Sequence, residues 1–95
     1  MIENLNKAFE NRIRLGIMSL LMVNDEVEFK MAKELLKVTD GNLASHTNSL
    51  EKLEYITVIK EFVGKKPKTS YKATSQGKKA FKSHLDALEN LLKNR

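Results

Sequence analysis

The sequence predicts a single, mostly helical α+β domain in which one β-hairpin separates three helices from a longer final one. Three observations carry that prediction. Apolar residues recur at steps of three and four through most of the chain. β-Branched and aromatic residues concentrate in one stretch, residues 55–63. The only proline, Pro67, stands shortly after it between two lysines. A chain of 95 residues makes one domain with a modest core, burying only about two thirds of its unfolded surface.

The elements follow in order. Ile2, Leu5, Phe9, Ile13, Ile17, Leu20 and Leu21 form one apolar stripe, predicting a helix or two joined helices over residues 2–23. Val27-Glu28-Phe29 alternates as a very short strand does. Met31 to Val38 reads as a short helix with Met31 or Ala32, Leu35 and Leu36 inward. Thr39-Asp40-Gly41-Asn42 is a turn signal, with Asp40 or Asn42 as cap for the next helix. That third helix, Leu43 to about Glu54, sets Leu43, Thr47, Leu50 and Leu53 on one side and Ser45, Asn48, Ser49 and Lys52 on the other. Ser and Asn are weak helix formers, and their short polar side chains admit close approach of another body. Tyr55 to Val63 is a strand, Gly64 to Thr69 a six-residue loop stiffened by Pro67, and Ser70 to Ala73 the returning strand. Thr74 or Ser75 then caps a last helix reaching about Lys93, striped by Phe81, Leu85, Leu88 and Leu92 with Leu91 beside them.

The positive charge is localised. Residues 60–82 hold eight lysines against one acid, Glu61, a net +7 that leaves −2 for the rest of a chain totalling +5. Such a patch suits a polyanion, although a lysine-rich surface can equally serve solubility. Other chemistry finds little support. The chain has no cysteine, so disulfides and thiolate metal sites are excluded, and no metal or cofactor is expected. His46 and His84 fall on different helices, and no zinc-protease, nucleophile-elbow or phosphate-loop motif occurs. Glu51 and Glu54 read as a solvated pair rather than an acid/base dyad, so an enzyme is not expected. His46, at the edge of the third helix's apolar face, is read as packing there or donating to a phosphate; His84 is read as an interfacial or surface residue. No apolar run nears the roughly 20 residues of a membrane span, so a cytoplasmic location is expected.

Three helices with the third presented outward, followed by a hairpin, form the plan of a winged helix-turn-helix. Residues 39–81 make the likeness specific: they resemble the small winged-helix regulators of bacteria and archaea, close to the MarR and ArsR types. The third helix opens as Gly41-Asn42-Leu43, continues Ala44-Ser45-His46 and Leu50 to Leu53, and leads through Tyr55-Ile56 into the wing. The wing carries Lys66-Pro67-Lys68-Thr69-Ser70-Tyr71, and the last helix starts Thr74-Ser75-Gln76-Gly77. The likeness spans roughly residues 11–82. Thr47 departs from it where an apolar residue is commoner, and Ala44 where Ser is.

The resemblance implies a homodimer on double-stranded DNA, with the third helix in the major groove and the wing on the flanking backbone. The side chains point to the same surfaces. Asn48 and Ser49 have the reach for base edges; Asn42 and Ser45 suit phosphates or the first base, and His46, if not packing, a phosphate; Lys52 suits backbone. Lys65, Lys66 and Lys68 at the wing tip are point charges for phosphate or the minor-groove rim. Lys72, Lys78 and Lys79 either extend that patch or are ordinary surface residues. Ile2, Leu5 and Phe9 before the core, and Leu85, Leu88, Leu91 and Leu92 beyond it, are expected to pack on symmetry mates, the alternative being that both ends fold back on their own core. A winged helix serving protein–protein contact is the competing function. No residue pattern demands a small-molecule effector.

Overall fold

The structure is a computed structural model and describes residues 2–93. Two single 3₁₀ turns, Ile2–Asn4 and Lys7–Phe9, precede helix α1 (Arg12–Val23). Strand β1 (Val27–Glu28), α2 (Phe29–Leu36), α3 (Asp40–Lys52), the hairpin β2 (Ile56–Val63) and β3 (Lys66–Ala73), and α4 (Ser75–Lys93) follow. The sheet is antiparallel in the order β1-β3-β2.

The expected helix over 2–23 is therefore broken twice, at asparagines. Asn6 and Asn11 both have extended backbones, and each side chain accepts from amides ahead of it. Asn6 bonds Ala8 at 2.9 Å; Asn11 bonds Ile13 at 2.9 Å and Arg14 at 3.1 Å. An Asn side chain that competes for its own backbone starts helices rather than continuing them. The break turns Phe9 inward. Its ring stacks on Tyr55 with centroids 5.5 Å apart and meets Phe81 edge-on at 5.1 Å. Phe9 is thus a core residue, not a residue offered to a symmetry mate. His84 is likewise buried, against Phe9, and its Nδ1 accepts from the Asn6 amide at 2.9 Å, so the surface or interfacial reading of His84 is corrected.

α1 buries Ile17, Met18 and Leu21. Its Gly16 faces α2: a Cβ there would stand 2.7 Å from a Leu36 methyl. The close crossing selects Ala32 and Leu36 as the inward face of α2 and leaves Leu35, expected inward, and Met31 exposed. Lys37 takes the left-handed conformation (φ 54°) and ends α2. The cap of α3 is Thr39, not Asp40 or Asn42; its Oγ1 accepts from the Asn42 amide at 3.1 Å, so Asp40-Gly41-Asn42 forms the first turn instead of a loop. Thr47 needs no apolar replacement, because its buried hydroxyl donates to the Leu43 carbonyl at 2.9 Å one turn back.

The hairpin is tighter than expected. Only Gly64 and Lys65 lie between the paired Val63 and Lys66, with Gly64 at φ 66°. Pro67 sits inside β3, opposite Phe62. In a hairpin closed by two residues the flanking pair is the hydrogen-bonded one, so the next pair, Phe62 and Pro67, exchanges no ladder bond. The proline's missing N–H therefore points away from β2, and β1, which reaches only Tyr71 and Ser70, does not extend that far.

The hairpin's root is locked to α4. The Thr74 amide donates to the Tyr55 carbonyl at 3.0 Å, and its hydroxyl donates to the Glu54 carbonyl at 2.6 Å while accepting from the Gly77 amide at 2.9 Å. A Cβ on Gly77 would overlap the Tyr55 carbonyl oxygen. The Thr-x-x-Gly sequence is thus a cap combined with a close crossing. Gly77, Phe81, His84 and Ala87 form the inward face of α4. Leu85, Leu88 and Leu92, expected in line with Phe81, lie on the adjacent exposed face, with Leu91 half-buried beside them.

Candidate nucleic-acid interface

Two surfaces converge on one side of the molecule. The first is the outer face of α3, whose buried residues Leu43, Thr47 and Leu50 fix its rotation. That rotation leaves Asn42, Ser45, Asn48 and Lys52 exposed and Ser49 half-buried, with the Ser49 hydroxyl donating to the Ser45 carbonyl at 3.2 Å. The second is the wing. Strand alternation puts Ile56, Val58, Lys60 and Phe62 of β2 on one face with Ala73, Tyr71, Thr69 and Pro67 of β3. At the root this face packs into the core through Ile56 and Tyr71; farther out it opens to solvent.

Between the two surfaces lies a cleft of about 230 Å³, lined by Ala44, Thr47 and Asn48 of α3 and by Val58, Lys60, Thr69 and Tyr71 of the wing, with Phe29 at its side. Burial pushes the Tyr71 phenol above its ordinary value, partly offset by hydrogen bonding to Thr47. Lys60 is exposed and shares this cleft with Asn48, a juxtaposition that residue-by-residue reading missed. The signal was the register: Lys60 pairs with Thr69 two positions in from the Phe62–Pro67 pair.

The lysines of the wing are not equivalent. Lys65 and Lys66 stand exposed at the turn. Lys68 lies on the wing face opposite Lys60, and its Nζ is 3.3 Å from Glu28 and 3.7 Å from Glu61. The Glu28 hydrogen bond, then the Glu28 and Glu61 charges, hold the Lys68 ammonium above its ordinary range. Lys68 is thus already engaged by carboxylates and ties the wing to β1, which corrects its grouping with Lys65 and Lys66 as a free tip cation.

His46 is half-buried, and its Nδ1 lies 3.0 Å from an Arg14 guanidinium nitrogen. Burial, and then the Arg14 charge, push its pKa down. Arg14 also donates to the Ala8 carbonyl at 2.6 Å, so the pair clamps α3 onto α1 and the chain before it. The packing reading of His46 has the geometry behind it. Asp40 in the first turn of α3 bonds Lys33 of α2 at 2.7 Å and steadies the other end.

A three-helix core that presents its third helix beside a basic two-stranded hairpin defines a winged-helix protein. The chain belongs to the winged-helix DNA-binding domain family, whose model matches residues 13–92. It is 35% identical over 88 residues to an uncharacterised protein of Methanocaldococcus jannaschii, covering 93% of this chain and 96% of that one. The solved structure of a transcriptional regulator homologue from Pyrococcus horikoshii superposes with a TM-score of 0.83 at 29% identity, over 90% of this chain and 85% of that one. A putative transcriptional regulator from Salmonella typhimurium shares the fold, with a TM-score of 0.75 at 18% identity over 93% and 78% of the two chains. No helix among the described residues is long and apolar enough to cross a membrane.

Proposed function

We propose that the protein is a transcriptional regulator that binds double-stranded DNA sequence-specifically as a homodimer, with α3 in the major groove and the wing on the flanking backbone. The observation that carries this reading is the shared cleft: Asn48 of α3 and Lys60 and Thr69 of the wing line one gap, with Ala44, Thr47, Val58 and Tyr71 between them. A helix and a hairpin held this way can straddle one strand, with bases on the helix side and phosphate between. Asn48 reads a base edge, Asn42, Ser45 and Lys52 meet phosphates or the first base, and Ser49, whose hydroxyl is given to its own helix, plays a lesser part. Lys60, Lys65 and Lys66 supply the charge, and Lys68 positions the wing. Acting on DNA, the protein works in the cytoplasm.

Dimerisation rests on the apolar face that α4 leaves open. Leu85, Leu88 and Leu92 are 43%, 40% and 73% exposed. The first 3₁₀ turn lies against α4 and adds Ile2, which is 73% exposed, with the half-buried Leu5 and Leu91 at the margin. Residues 1–95 then act as one domain that carries both the DNA-reading surface and the dimer contact.

Fluorescence anisotropy of generic duplex DNA across about 50 to 200 mM salt tests the reading. Each phosphate contact contributes about 0.9 to the log–log salt slope, so Lys65→Ala with Lys66→Ala flattens it by roughly four for a dimer, and Lys68→Ala changes it far less. Absence of binding by the wild type at low salt would sink the proposal in favour of a protein-contact module. In sedimentation equilibrium the wild type is a dimer at micromolar concentration and Leu88→Glu a monomer; a monomeric wild type removes the dimer.

A further inference from the structure

The tip of the wing exposes an aromatic residue where charge alone would serve a phosphate contact. Phe62 is 74% exposed and Val63 60%, on a hairpin whose turn takes only two residues. Phe62 stands directly opposite Pro67 in a pair that exchanges no ladder hydrogen bond, the kind in which cross-strand side chains approach most closely. The two form a small apolar ridge. It lies on the wing face of Lys60 and Thr69, the face that runs back through the cleft to Asn48 of α3.

The carboxylates of the wing are confined to one of its two faces. On the ridge's face β2 and β3 carry no acid: Ile56, Val58, Lys60 and Phe62 pair with Ala73, Tyr71, Thr69 and Pro67. The carboxylates Glu61 and Glu28 both lie on the other face, gathered around Lys68. An apolar ridge with Lys60 on its own face, Lys65 at the adjoining turn and no carboxylate of β2 or β3 on that face fits a polyanion that also offers an apolar interior. A DNA minor groove is such a partner. Its walls are phosphates, its floor is base edges, and at about 6 Å wide it admits a flat ring edge-on.

We propose that Phe62, backed by Pro67, enters the minor groove next to the major-groove segment faced by α3 and acts there as an apolar wedge between base steps. This rests on the DNA-binding reading above and adds a specificity element to it. The wedge favours sites whose flanking steps unstack easily and whose minor groove is free of the guanine amino group, so the wing selects sequence without a hydrogen bond to a base. The brace from Lys68 to Glu28 sets the angle at which the ridge is presented.

The test uses two generic duplexes of one sequence, differing only in whether inosine replaces guanine on both strands. The replacement removes the minor-groove amino group and leaves the major-groove donor and acceptor pattern intact. Wild-type protein is expected to bind the inosine duplex about fivefold or more tightly than the guanine duplex. Phe62→Ala should bind both duplexes equally and keep the wild-type salt slope, because the ring neutralises no phosphate. Equal binding of both duplexes by a wild type that does bind DNA overturns the wedge, as does a preference that survives in Phe62→Ala. If the wild type binds neither duplex at low salt, the failure lies with the DNA-binding reading itself. Since Phe62 is exposed, an unchanged thermal melt of the variant establishes that folding is not the cause.

Discussion

The two ends of the hairpin share strands and little else. At the root, Ile56 and Tyr71 are 2% and 3% exposed, Phe9 stacks on Tyr55, and Thr74 is hydrogen-bonded to Glu54, Tyr55, Gly77 and Lys78. At the tip, Phe62 and Val63 are mostly exposed and the lysines of the turn have solvent around them. The root is where stability is concentrated, and the tip is where apolar surface is left uncovered against the ordinary preference for burying it. From Ile56 to Phe62, six residue steps or roughly 20 Å, one strand pair thus passes from buried core to open surface.

Substitutions at the two ends should separate these roles. The largest effect is expected at the root: Phe9→Ala removes a ring packed on Tyr55, Phe81 and His84 and should cost about 3–5 kcal/mol in urea unfolding. A loss below about 1 kcal/mol would mean that the segment before α1 is not part of the cooperative core. Next comes Gly77→Ala, whose new methyl overlaps the Tyr55 carbonyl and forces α4 away from the root, at about 2–3 kcal/mol. Thr74→Ala removes the cap of α4 and the link to Glu54, for about 1–2 kcal/mol. At the tip, Phe62→Ala should stay within about 0.5 kcal/mol of wild type; a larger loss would show that the ring packs on its own chain and would erase the contrast.

The smallest effect concerns pH. His46 has a lowered pKa in the folded state, so the unfolded chain takes up this proton more readily. Its contribution is present in full above the ordinary value of 6.5 and is lost as the pH falls through the lowered folded value. His46→Gln, which keeps an acceptor for Arg14 but does not titrate, should make stability slightly less sensitive to pH between about 7 and 5. An unchanged pH profile would show that neither burial nor the Arg14 charge shifts His46 in solution.

Much of this fold is legible from side-chain periodicity, because burial imposes it. The three-and-four spacing of Leu43, Thr47 and Leu50 gives the face of α3 correctly, and with it the outward Asn42, Ser45, Asn48 and Lys52; Leu53, read onto the same inward side, is instead the C-cap and is exposed, and Ser49, read outward, is half-buried. What periodicity cannot show is where a stripe belongs to two elements. Ile2, Leu5 and Phe9 continue the spacing of α1, yet Asn6 and Asn11 satisfy neighbouring amides and break the helix, which sends Phe9 inward. α4 fails in the opposite way. Its leucines follow Phe81 by regular steps, but the close crossing at Gly77 rotates the helix, so His84 and Ala87 complete the buried face. The length of the wing was obscured by Pro67, which reads as a loop residue until its pairing position is known. In the candidate site, lysine identity was visible and lysine partnership was not: the pairing of Lys68 with Glu28 joins residues 40 positions apart.

Pro67 has a consequence for how this protein behaves in a crowded solution. β1 covers β3 only at Tyr71 and Ser70, so the rim of β3 nearer the tip is an open sheet edge, the place where a stray strand from another molecule would add on. By alternation, residues 67 and 69 turn their backbone groups toward that rim, and at 67 the donor is missing. An incoming strand finds one of the two N–H donors of that rim absent, with Lys66 and Lys68 on either side of the gap. The same residue that fits the tip without cost also guards the uncovered edge against fibrillar growth.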